Sequence, residues 1–268
     1  MLSHRNRMHN VIDKSGRDKT ASGEPDHRAQ DEGTNDARLF ELTETYLKSM
    51  GPYWNQHQAV FLRRQSLSRL IYYYELYKLI VDVPGIICEF GVHWGAGMTT
   101  LMSLRGMYEP FNFSRQIVGF DTFEGFQAFD AEDSDQAAVG DFATITGYEK
   151  ILEEILSIQE TFSPLSHIKK FELVKGDASI TVPRWLEANA HVIVAMAIFD
   201  MDLYKPTKES LTAVLPRLIK GSLLIFDELT SPNWEGEIKA LTEVIGLGNL
   251  RLRRHPHQPH CAFDAFGE

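Results

Sequence analysis

The 268-residue sequence predicts an α/β fold: a mostly parallel, seven-stranded sheet with helices on both faces and a terminal antiparallel hairpin. Two observations carry this prediction. From residue 84 onward, short apolar runs alternate with amphipathic helical segments, a pattern typical of a parallel sheet covered on both sides. Near the end of the chain, two strand-like runs follow each other with only a short His- and Pro-containing link, which indicates an antiparallel pair.

The apolar runs and the periodic segments give the order of the elements. Five strands are predicted at residues 86–90, 116–121, 171–175, 192–199 and 222–227. Helices are predicted at residues 96–105, 148–159, 180–190, 208–218 and 235–245. The closing pair is predicted at residues 249–254 and 260–266.

The part before the sheet divides into two segments. Residues 1–36 are polar and lack apolar periodicity, which predicts a disordered tail. Residues 37–83 form a predicted N-terminal helical segment, and residues 84–268 form the α/β domain. Apolar residues at steps of three and four predict a helix over residues 58–81, with a stripe of Leu67, Leu70, Ile71, Tyr74, Tyr77 and Val81. The aromatic character of these helices favours a homodimer or a higher homo-oligomer.

Composition narrows the class of protein. With 43% hydrophobic and 24% charged residues, the chain is typical of a globular protein. No apolar stretch approaches the roughly 20 residues that a membrane helix needs, and the polar start lacks a secretory signal. Cys88 lies in an apolar run, which favours a reduced, cytoplasmic thiol. The net charge of −10 argues against a nucleic-acid partner.

A glycine-rich turn follows the first strand of the sheet, with the sequence E-F-G-V-H-W-G-A-G from Glu89 to Gly97. Glycines at a strand-to-helix turn let a ligand approach the backbone, and the helix that follows offers free N–H groups. Gly91 and Gly95 are spaced as G-x-x-x-G-x-G and not as the dinucleotide pattern G-x-G-x-x-G. The turn predicts a nucleoside site, although close packing alone could also require its glycines.

Acidic residues end the next two strands. Asp121, followed by Thr122, ends the second strand, and an acidic residue at this point can accept hydrogen bonds from ribose hydroxyls. Asp177 and Ala178 follow the third strand, and we expect them near the base of the nucleoside. Because ligands of open α/β sheets bind at the carboxyl ends of the strands, these residues should converge with Glu89.

A second group of carboxylates follows the fourth and fifth strands: Asp200 and Asp202, then Asp227 and Glu228. Adjacent strands lie about 5 Å apart, so these groups would crowd one place. Mg²⁺ or another divalent cation would offset their repulsion, with Asp200, Asp227 and Glu228 as ligands. The alternative is that the carboxylates cap the helices that follow.

The general base of such a site is open between several residues. Asp202 lies two residues beyond the first predicted ligand and could be a ligand, a base or an outer partner of the metal. His93, beside the glycine turn, could also reach the site, and so could a histidine of the cluster His255, His257 and His260. The acidic segment 126–145 follows the second strand, and we expect it to close over the acceptor.

Four segments of the sequence resemble the macrocin O-methyltransferase family of S-adenosylmethionine-dependent sugar O-methyltransferases. They are G-I-I-C-E-F-G-V-H-W-G-A-G, V-G-F-D-T-F-E-G-F, F-D-M-D-L-Y-K-P-T and L-I-F-D-E-L. The resemblance covers roughly residues 61–228 and implies the class I methyltransferase fold, which is Rossmann-like.

The same resemblance implies S-adenosylmethionine as methyl donor, Mg²⁺, and an acceptor hydroxyl on a deoxysugar or another glycosylated natural product. Glu89 would then lie near the methionine amino group. The metal carboxylates of the family map onto Asp200, Asp227 and Glu228, although the family usually has two aspartates where this chain has Asp227 and Glu228.

The same sequence features bear on four alternative functions. A phenolic or polysaccharide acceptor fits the same motifs. A nicotinamide-dependent oxidoreductase or epimerase is opposed by the glycine spacing and by the carboxylate cluster. A non-catalytic relative that only binds a nucleoside is opposed by the intact set of acidic residues at the strand ends. Nucleic-acid methylation is disfavoured by the charge of the chain.

Overall fold

The structure is a computed structural model that describes residues 32–134, 137–231 and 234–267. The chain divides into two compact units between Arg69 and Leu70. The predicted tail, residues 1–36, lies outside the described residues as far as residue 31. Within the described ranges, no helix is both long enough and apolar enough to cross a membrane.

The first unit is helical. Helix α1 spans Glu32–Tyr46, so the last residues of the predicted tail are helical, and 3-10 turns follow at Lys48–Gln56 and Gln58–Val60. Helix α2 spans Arg64–Lys78, so that its residues from Leu70 onward belong to the second unit, and it begins six residues later than predicted. The prediction included residues 59–62 in this helix. These four residues are all apolar and so do not form the one-sided apolar stripe of an amphipathic helix. Between residues 33 and 63, no residue is buried.

The second unit contains the sheet. Its strands are β1 (Ile86–Phe90), β2 (Ile117–Asp121), β3 (Phe171–Lys175), β4 (Val194–Phe199), β5 (Leu218–Phe226), β6 (Arg253–His255) and β7 (Gln258–Ala265). Its further helices are α3 (Ala96–Tyr108), α4 (Tyr148–Thr161), α5 (Ala178–Ala188), α6 (Tyr204–Val214) and α7 (Gly236–Val244). The strand order is β3-β2-β1-β4-β5-β7-β6.

The sheet confirms the predicted fold. The first five strands pair in parallel, and β7 pairs antiparallel with both β5 and β6. Helix α6 lies earlier than predicted, because Pro216 cannot continue the helix and the chain passes through a 3-10 turn at Leu215–Arg217. Strand β5 therefore begins at Leu218, four residues before its predicted start.

The central strands β1 and β4 are buried along their whole length, so helices cover both faces of the sheet there. One face packs against helices α2, α3 and α4, and the other against α5, α6 and α7. The predicted stripe is only partly right: Tyr77 is buried, whereas Leu70 and Tyr74 are exposed. Tyr72, Tyr73 and Leu76, which lie outside the predicted stripe, are buried instead. Both faces have helical spacing, and packing against the sheet decides between them.

Phenylalanines form a row across the last paired positions of four strands. Phe120, Phe90, Phe199 and Phe226 occupy neighbouring strands in register. The centroids of successive rings lie 5.3, 4.9 and 5.0 Å apart, within the range of favourable aromatic pairs. These packed rings lie at the carboxyl edge of the sheet, next to the acidic residues that follow the strands.

A buried ionic network joins α3, α4 and the start of β3. Glu160 of α4 accepts two hydrogen bonds from Arg105, at 2.7 and 2.8 Å, and pairs with Lys170 at 2.7 Å. All three side chains are buried. Glu160 is therefore the anion that neutralises two buried cations, and the fold depends on its charge.

The variant Glu160→Gln should lower the free energy of unfolding by about 3–5 kcal/mol, because two buried cations lose their counter-charge. Urea unfolding followed by circular dichroism measures the change. Glu153→Gln is the matched control, since Glu153 lies on the same helix and pairs with Lys169 in an exposed position. It should change stability by no more than about 1 kcal/mol. Equal effects of the two variants would contradict the role of burial.

Candidate active site

The glycine turn after β1 is required by close backbone approaches. Gly91 has a φ of +93°, and a Cβ at this position would lie 1.8 Å from the carbonyl oxygen of Asp200. Gly95, at a φ of +83°, is the residue before α3. A side chain at Gly91 would push the ends of β1 and β4 apart, whereas a Cβ on Gly95 would lie 2.4 Å from Leu152 Cδ1 of α4. The turn thus packs directly against the place where β4 ends.

Glu89 is buried under the first turn of α3, with 2% of its surface exposed. A Cβ on Gly97 would lie 1.7 Å from Glu89 Oε1, so the third glycine of the turn makes room for this carboxylate. The N-terminus of a helix stabilises negative charge, which explains how an acid can be buried there. The predicted role of Glu89 at the methionine amino group stays a prediction.

Asp121 ties the glycine turn to the end of β2. Its Oδ2 accepts hydrogen bonds from the backbone N–H groups of Val92 and His93, at 2.7 and 2.8 Å. Its Oδ1 accepts from the N–H of Phe123 at 2.6 Å. A carboxylate has about four acceptor positions, so the turn takes up most of them. Asp121 therefore organises the shape of the predicted nucleoside site in addition to any contact with ribose.

The segment after Asp121 is a tight, hydrogen-bonded turn. Thr122 Oγ1 donates to the carbonyl of Gly125 at 2.9 Å and accepts the N–H of Glu124 at 3.2 Å. A Cβ on Gly125 would lie 2.2 Å from the carbonyl oxygen of Asp141. The last glycine of the G-F-D-T-F-E-G motif is therefore required by close packing of the turn against the end of the acidic segment.

Asp177 caps helix α5. Its Oδ1 accepts the N–H of Ser179 at 2.8 Å, and its φ and ψ are those of an N-cap residue. Ala178 is buried at the first position of the helix, and the N–H of Gly176 bonds to the carbonyl of Asp121 at 2.8 Å. The structure therefore brings Asp177 and Asp121 to one edge of the sheet, as predicted from the strand ends.

His93 lies on the glycine turn in the left-handed region, with a φ of +50°. Its ring meets the ring of Phe142 edge-on, with 6.0 Å between centroids, and also lies beside Trp94. These contacts place the imidazole between the turn and the acidic segment. A role as general base stays a prediction.

The carboxylates after β4 and β5 are set side by side by the backbone. The N–H of Asp200 bonds to the carbonyl of Phe90 at 2.8 Å, and the N–H of Asp227 bonds to the carbonyl of Phe199 at 3.1 Å. These bonds continue the parallel ladder by one residue beyond each strand. Asp200 and Asp227 consequently stand on adjacent strand ends, and Glu228 follows directly.

Asp202 is buried in the same cluster, with 8% of its surface exposed and a φ of +60°. Burial raises the pKa of its carboxyl well above the ordinary value, and the charges of Asp200, Glu237, Glu228 and Asp227 raise this pKa further. A non-glycine residue in this left-handed conformation is uncommon and is concentrated at functional sites.

Two residues of the cluster come from elements far along the chain and were not predicted. Glu237 of α7 is fully buried, and its Oε2 accepts the N–H of Glu228 at 3.3 Å. Cys261 of β7 is also buried, and its Sγ lies 3.0 Å from Asp227 Oδ1 as a donor. The signal for Glu237 is a charged residue in the apolar stripe that Ala240 and Leu241 continue. Cys261 has no such signal, because only the register of β7 places it there.

The acidic segment 126–145 borders the carboxylates that follow β4 and β5. In the part of the chain that the structure describes, no group of three or more His, Cys, Asp or Glu side chains is arranged to hold a metal ion. The acidic segment packs nearby: Asp133 Oδ1 accepts the N–H of Tyr204 at 2.6 Å, and Phe126 packs with Leu203 and Trp234. The carboxylates that follow β4 and β5 thus lie together at the carboxyl edge of the sheet, next to the acidic segment.

The fold and the site together define a class of protein. A sheet in the order β3-β2-β1-β4-β5-β7-β6 with an antiparallel β7 is the class I methyltransferase fold. The glycine turn after β1 and the acid at the end of β2 lie together at the carboxyl edge of this sheet, where open α/β sheets bind their ligands. The fold is therefore that of a methyltransferase.

A family model described as macrocin-O-methyltransferase (TylF) matches residues 54–243. The chain belongs to the macrocin O-methyltransferase family, which confirms the resemblance found in the sequence. The protein is thus an S-adenosylmethionine-dependent O-methyltransferase. No curated protein matches the chain.

Solved structures agree with this family. The calicheamicin methyltransferase CalS11 is 38% identical, over 91% of this chain and 95% of its own, with a TM-score of 0.84. An apo structure of CalS11, a TDP-rhamnose 3'-O-methyltransferase in calicheamicin biosynthesis, is 37% identical over 91% and 97%, with a TM-score of 0.78. The O-methyltransferase NovP shares the fold, at 17% identity over 74% and 79%, with a TM-score of 0.53.

Proposed function

We propose that the protein transfers the methyl group of S-adenosylmethionine to a hydroxyl of a deoxysugar, with the help of a divalent cation such as Mg²⁺. The carboxylates that converge at the ends of β4 and β5 carry the proposal. In the fold of a methyltransferase, such a cluster beside the cofactor site suits an acceptor hydroxyl that must lose its proton. The 38% identity to CalS11 favours a nucleotide-linked or glycosidic sugar as acceptor.

The cofactor would lie against the glycine turn. Gly91 and Gly95 leave room for it, Glu89 would receive the methionine amino group, and Asp121 with Thr122 would border the ribose. Asp177 and Ala178 would lie beside the adenine. This arrangement follows from the positions of these residues at the carboxyl edge of the sheet.

The residues after β4 and β5 suit a hard divalent cation. Their donor atoms are carboxylate oxygens, the ligands that Mg²⁺ prefers, and a buried oxygen of Glu237 has no hydrogen-bond partner among the described residues. Asp200, Asp227 and Glu228 would hold the ion. When bound, the cation would lower the pKa of the acceptor hydroxyl and orient its oxygen.

Asp202 is our candidate for the general base. Its carboxylate is buried within the cluster, and α7 holds its backbone, because a Cβ on Gly236 would lie 2.5 Å from the carbonyl oxygen of Asp202. In the reaction, the acceptor oxygen forms a bond to the methyl carbon while the bond from that carbon to sulfur breaks. The hydroxyl proton passes to Asp202, and S-adenosylhomocysteine leaves.

A panel of acceptors tests the proposal. Purified protein is incubated with S-adenosylmethionine and TDP-rhamnose, a glycosylated macrolide, or a catechol, each with Mg²⁺ or with EDTA. Mass spectrometry measures the methylated product and S-adenosylhomocysteine. We expect methylation of a sugar-containing acceptor with Mg²⁺ and loss of turnover in EDTA. Turnover of the catechol alone would contradict the sugar acceptor, and full turnover in EDTA would contradict the role of the metal.

The predicted homo-oligomer and the predicted cytoplasmic location stay predictions.

A further inference from the structure

Helix α7 begins against the connection between β4 and α6. A Cβ on Gly236 would lie 2.5 Å from both the carbonyl oxygen of Asp202 and the backbone nitrogen of Tyr204. Only a glycine lets the helix start so close to this connection. The next residue, Glu237, is consequently held at the carboxylate cluster and is fully buried.

The two carboxylate oxygens of Glu237 have different surroundings. Oε2 accepts the backbone N–H of Glu228 at 3.3 Å and so fixes the chain at that residue. Oε1 is buried and has no hydrogen-bond partner within the described ranges. A buried carboxylate oxygen without a partner is costly, so its presence points to a partner that the polypeptide does not supply.

The charges around Glu237 identify the chemistry of that partner. The carboxylates of Asp200, Asp227 and Glu228 all lie close enough to Glu237 to repel its charge. An anion would add to this repulsion, whereas a cation would relieve it. The oxygen also belongs to the donor type that a hard divalent cation takes.

We propose that Glu237 is a further member of the carboxylate set that holds the divalent cation. Oε2 positions Glu228 through its backbone, and Oε1 accepts the cation or one of its bound waters. This inference rests on the metal in the proposed function. It also explains how a glutamate can follow Asp227 in this set. The side chain of Glu228 is longer than that of an aspartate, but Glu237 holds the backbone N–H of Glu228 in place.

The variant Glu237→Gln tests the inference, because glutamine keeps the shape and can still accept the N–H of Glu228 but carries no charge. Binding of Mn²⁺ to the full-length protein is measured by electron paramagnetic resonance. Glu237→Gln should weaken Mn²⁺ binding by about 10- to 100-fold, the range found for outer partners of metal sites. Glu235→Gln is the matched control, since Glu235 pairs with Lys239 on the surface of the same helix, and its Mn²⁺ affinity should equal that of the wild type.

Thermal unfolding provides a second readout. Without metal, Glu237→Gln should melt above the wild type, because one of several crowded negative charges is removed. With saturating Mg²⁺, the rise in Tm should be smaller in the variant than in the wild type. If Glu237 had a purely structural role, its replacement would not both raise the Tm of the metal-free protein and reduce the rise in Tm that Mg²⁺ causes.

The outcomes separate this inference from the proposed function. Mn²⁺ binding by the wild type and by Glu237→Gln with equal affinity would overturn the role of Glu237 and leave the metal in place. Absence of Mn²⁺ binding by the wild type would overturn both. Should Glu237→Gln fail to fold, Glu237→Asp keeps the charge but withdraws the carboxylate by one methylene. Wild-type affinity in that variant would likewise overturn the inference.

Discussion

Replacing Asp202 with asparagine should lower the rate of methyl transfer by about 10²- to 10⁴-fold, the contribution typical of a general base. Asparagine has the same shape but cannot accept the hydroxyl proton. The affinity for S-adenosylmethionine should not change, because Asp202 follows β4 while the predicted cofactor residues follow β1, β2 and β3. Single-turnover kinetics with a sugar acceptor measures the rate, and calorimetry measures the affinity.

The fold of this variant should not suffer. Burial and neighbouring carboxylates raise the pKa of Asp202, which means that its charged form is disfavoured in the folded protein. The neutral variant should therefore be at least as stable as the wild type in the absence of metal. Asp82→Asn, the same change at an exposed position, serves as control. Wild-type turnover by Asp202→Asn together with loss of turnover by His93→Ala would assign the base to His93 instead.

Replacing Asp121 with alanine should weaken S-adenosylmethionine binding by about 100-fold or more, which corresponds to roughly 2.7 kcal/mol. Three backbone N–H groups, those of Val92, His93 and Phe123, lose their acceptor at once. Each unsatisfied donor costs about 1–3 kcal/mol when it is kept from water. The glycine turn should lose its shape, and the ribose should lose its acceptor.

Calorimetric titration with S-adenosylmethionine measures this effect, and circular dichroism checks that the variant is folded. Glu124→Gln is the matched control, because Glu124 lies in the same turn but pairs with Lys175 at the surface, at 3.1 Å. Its cofactor affinity should equal that of the wild type. Undiminished binding by a folded Asp121→Ala variant would place the nucleoside elsewhere on the molecule.

Much of the fold could be predicted because it depends on local patterns. The run 86–90 coincides with β1, which is buried along its whole length, since a strand buried on both faces is almost continuously apolar. The run 171–175 coincides with β3, although only Phe171 of that strand is buried. The acidic residues at the carboxyl edge of the sheet could also be predicted. Parallel strands all end on one side of a sheet, so Asp121, Asp200 and Asp227 had to lie on that side. The helix before the sheet was predicted in kind but not in bounds.

Other features of the fold follow from competition between local patterns. In α2, the stripe through Leu70 and Tyr74 and the face with Tyr72, Tyr73 and Leu76 both have helical spacing, and the sequence offers no means of choosing between them. The sheet selects the second face, because its three bulky side chains become buried there. Hydrophobic periodicity thus predicts that a helix is amphipathic but can point to the wrong face.

The sequence by itself determined the order of the strands along the chain, the glycine turn and the acids at the strand ends, because each is encoded within a few consecutive residues. Only the tertiary structure decided that Asp121 is bound by three N–H groups, that Asp177 caps a helix, and that Glu237 and Cys261 join the carboxylate cluster. Most of these contacts join residues that lie far apart in the chain. In the others, such as the cap formed by Asp177, the side chain could equally well have bonded to a different partner. They depend on strand register and helix placement, which are set by the packing of the whole sheet.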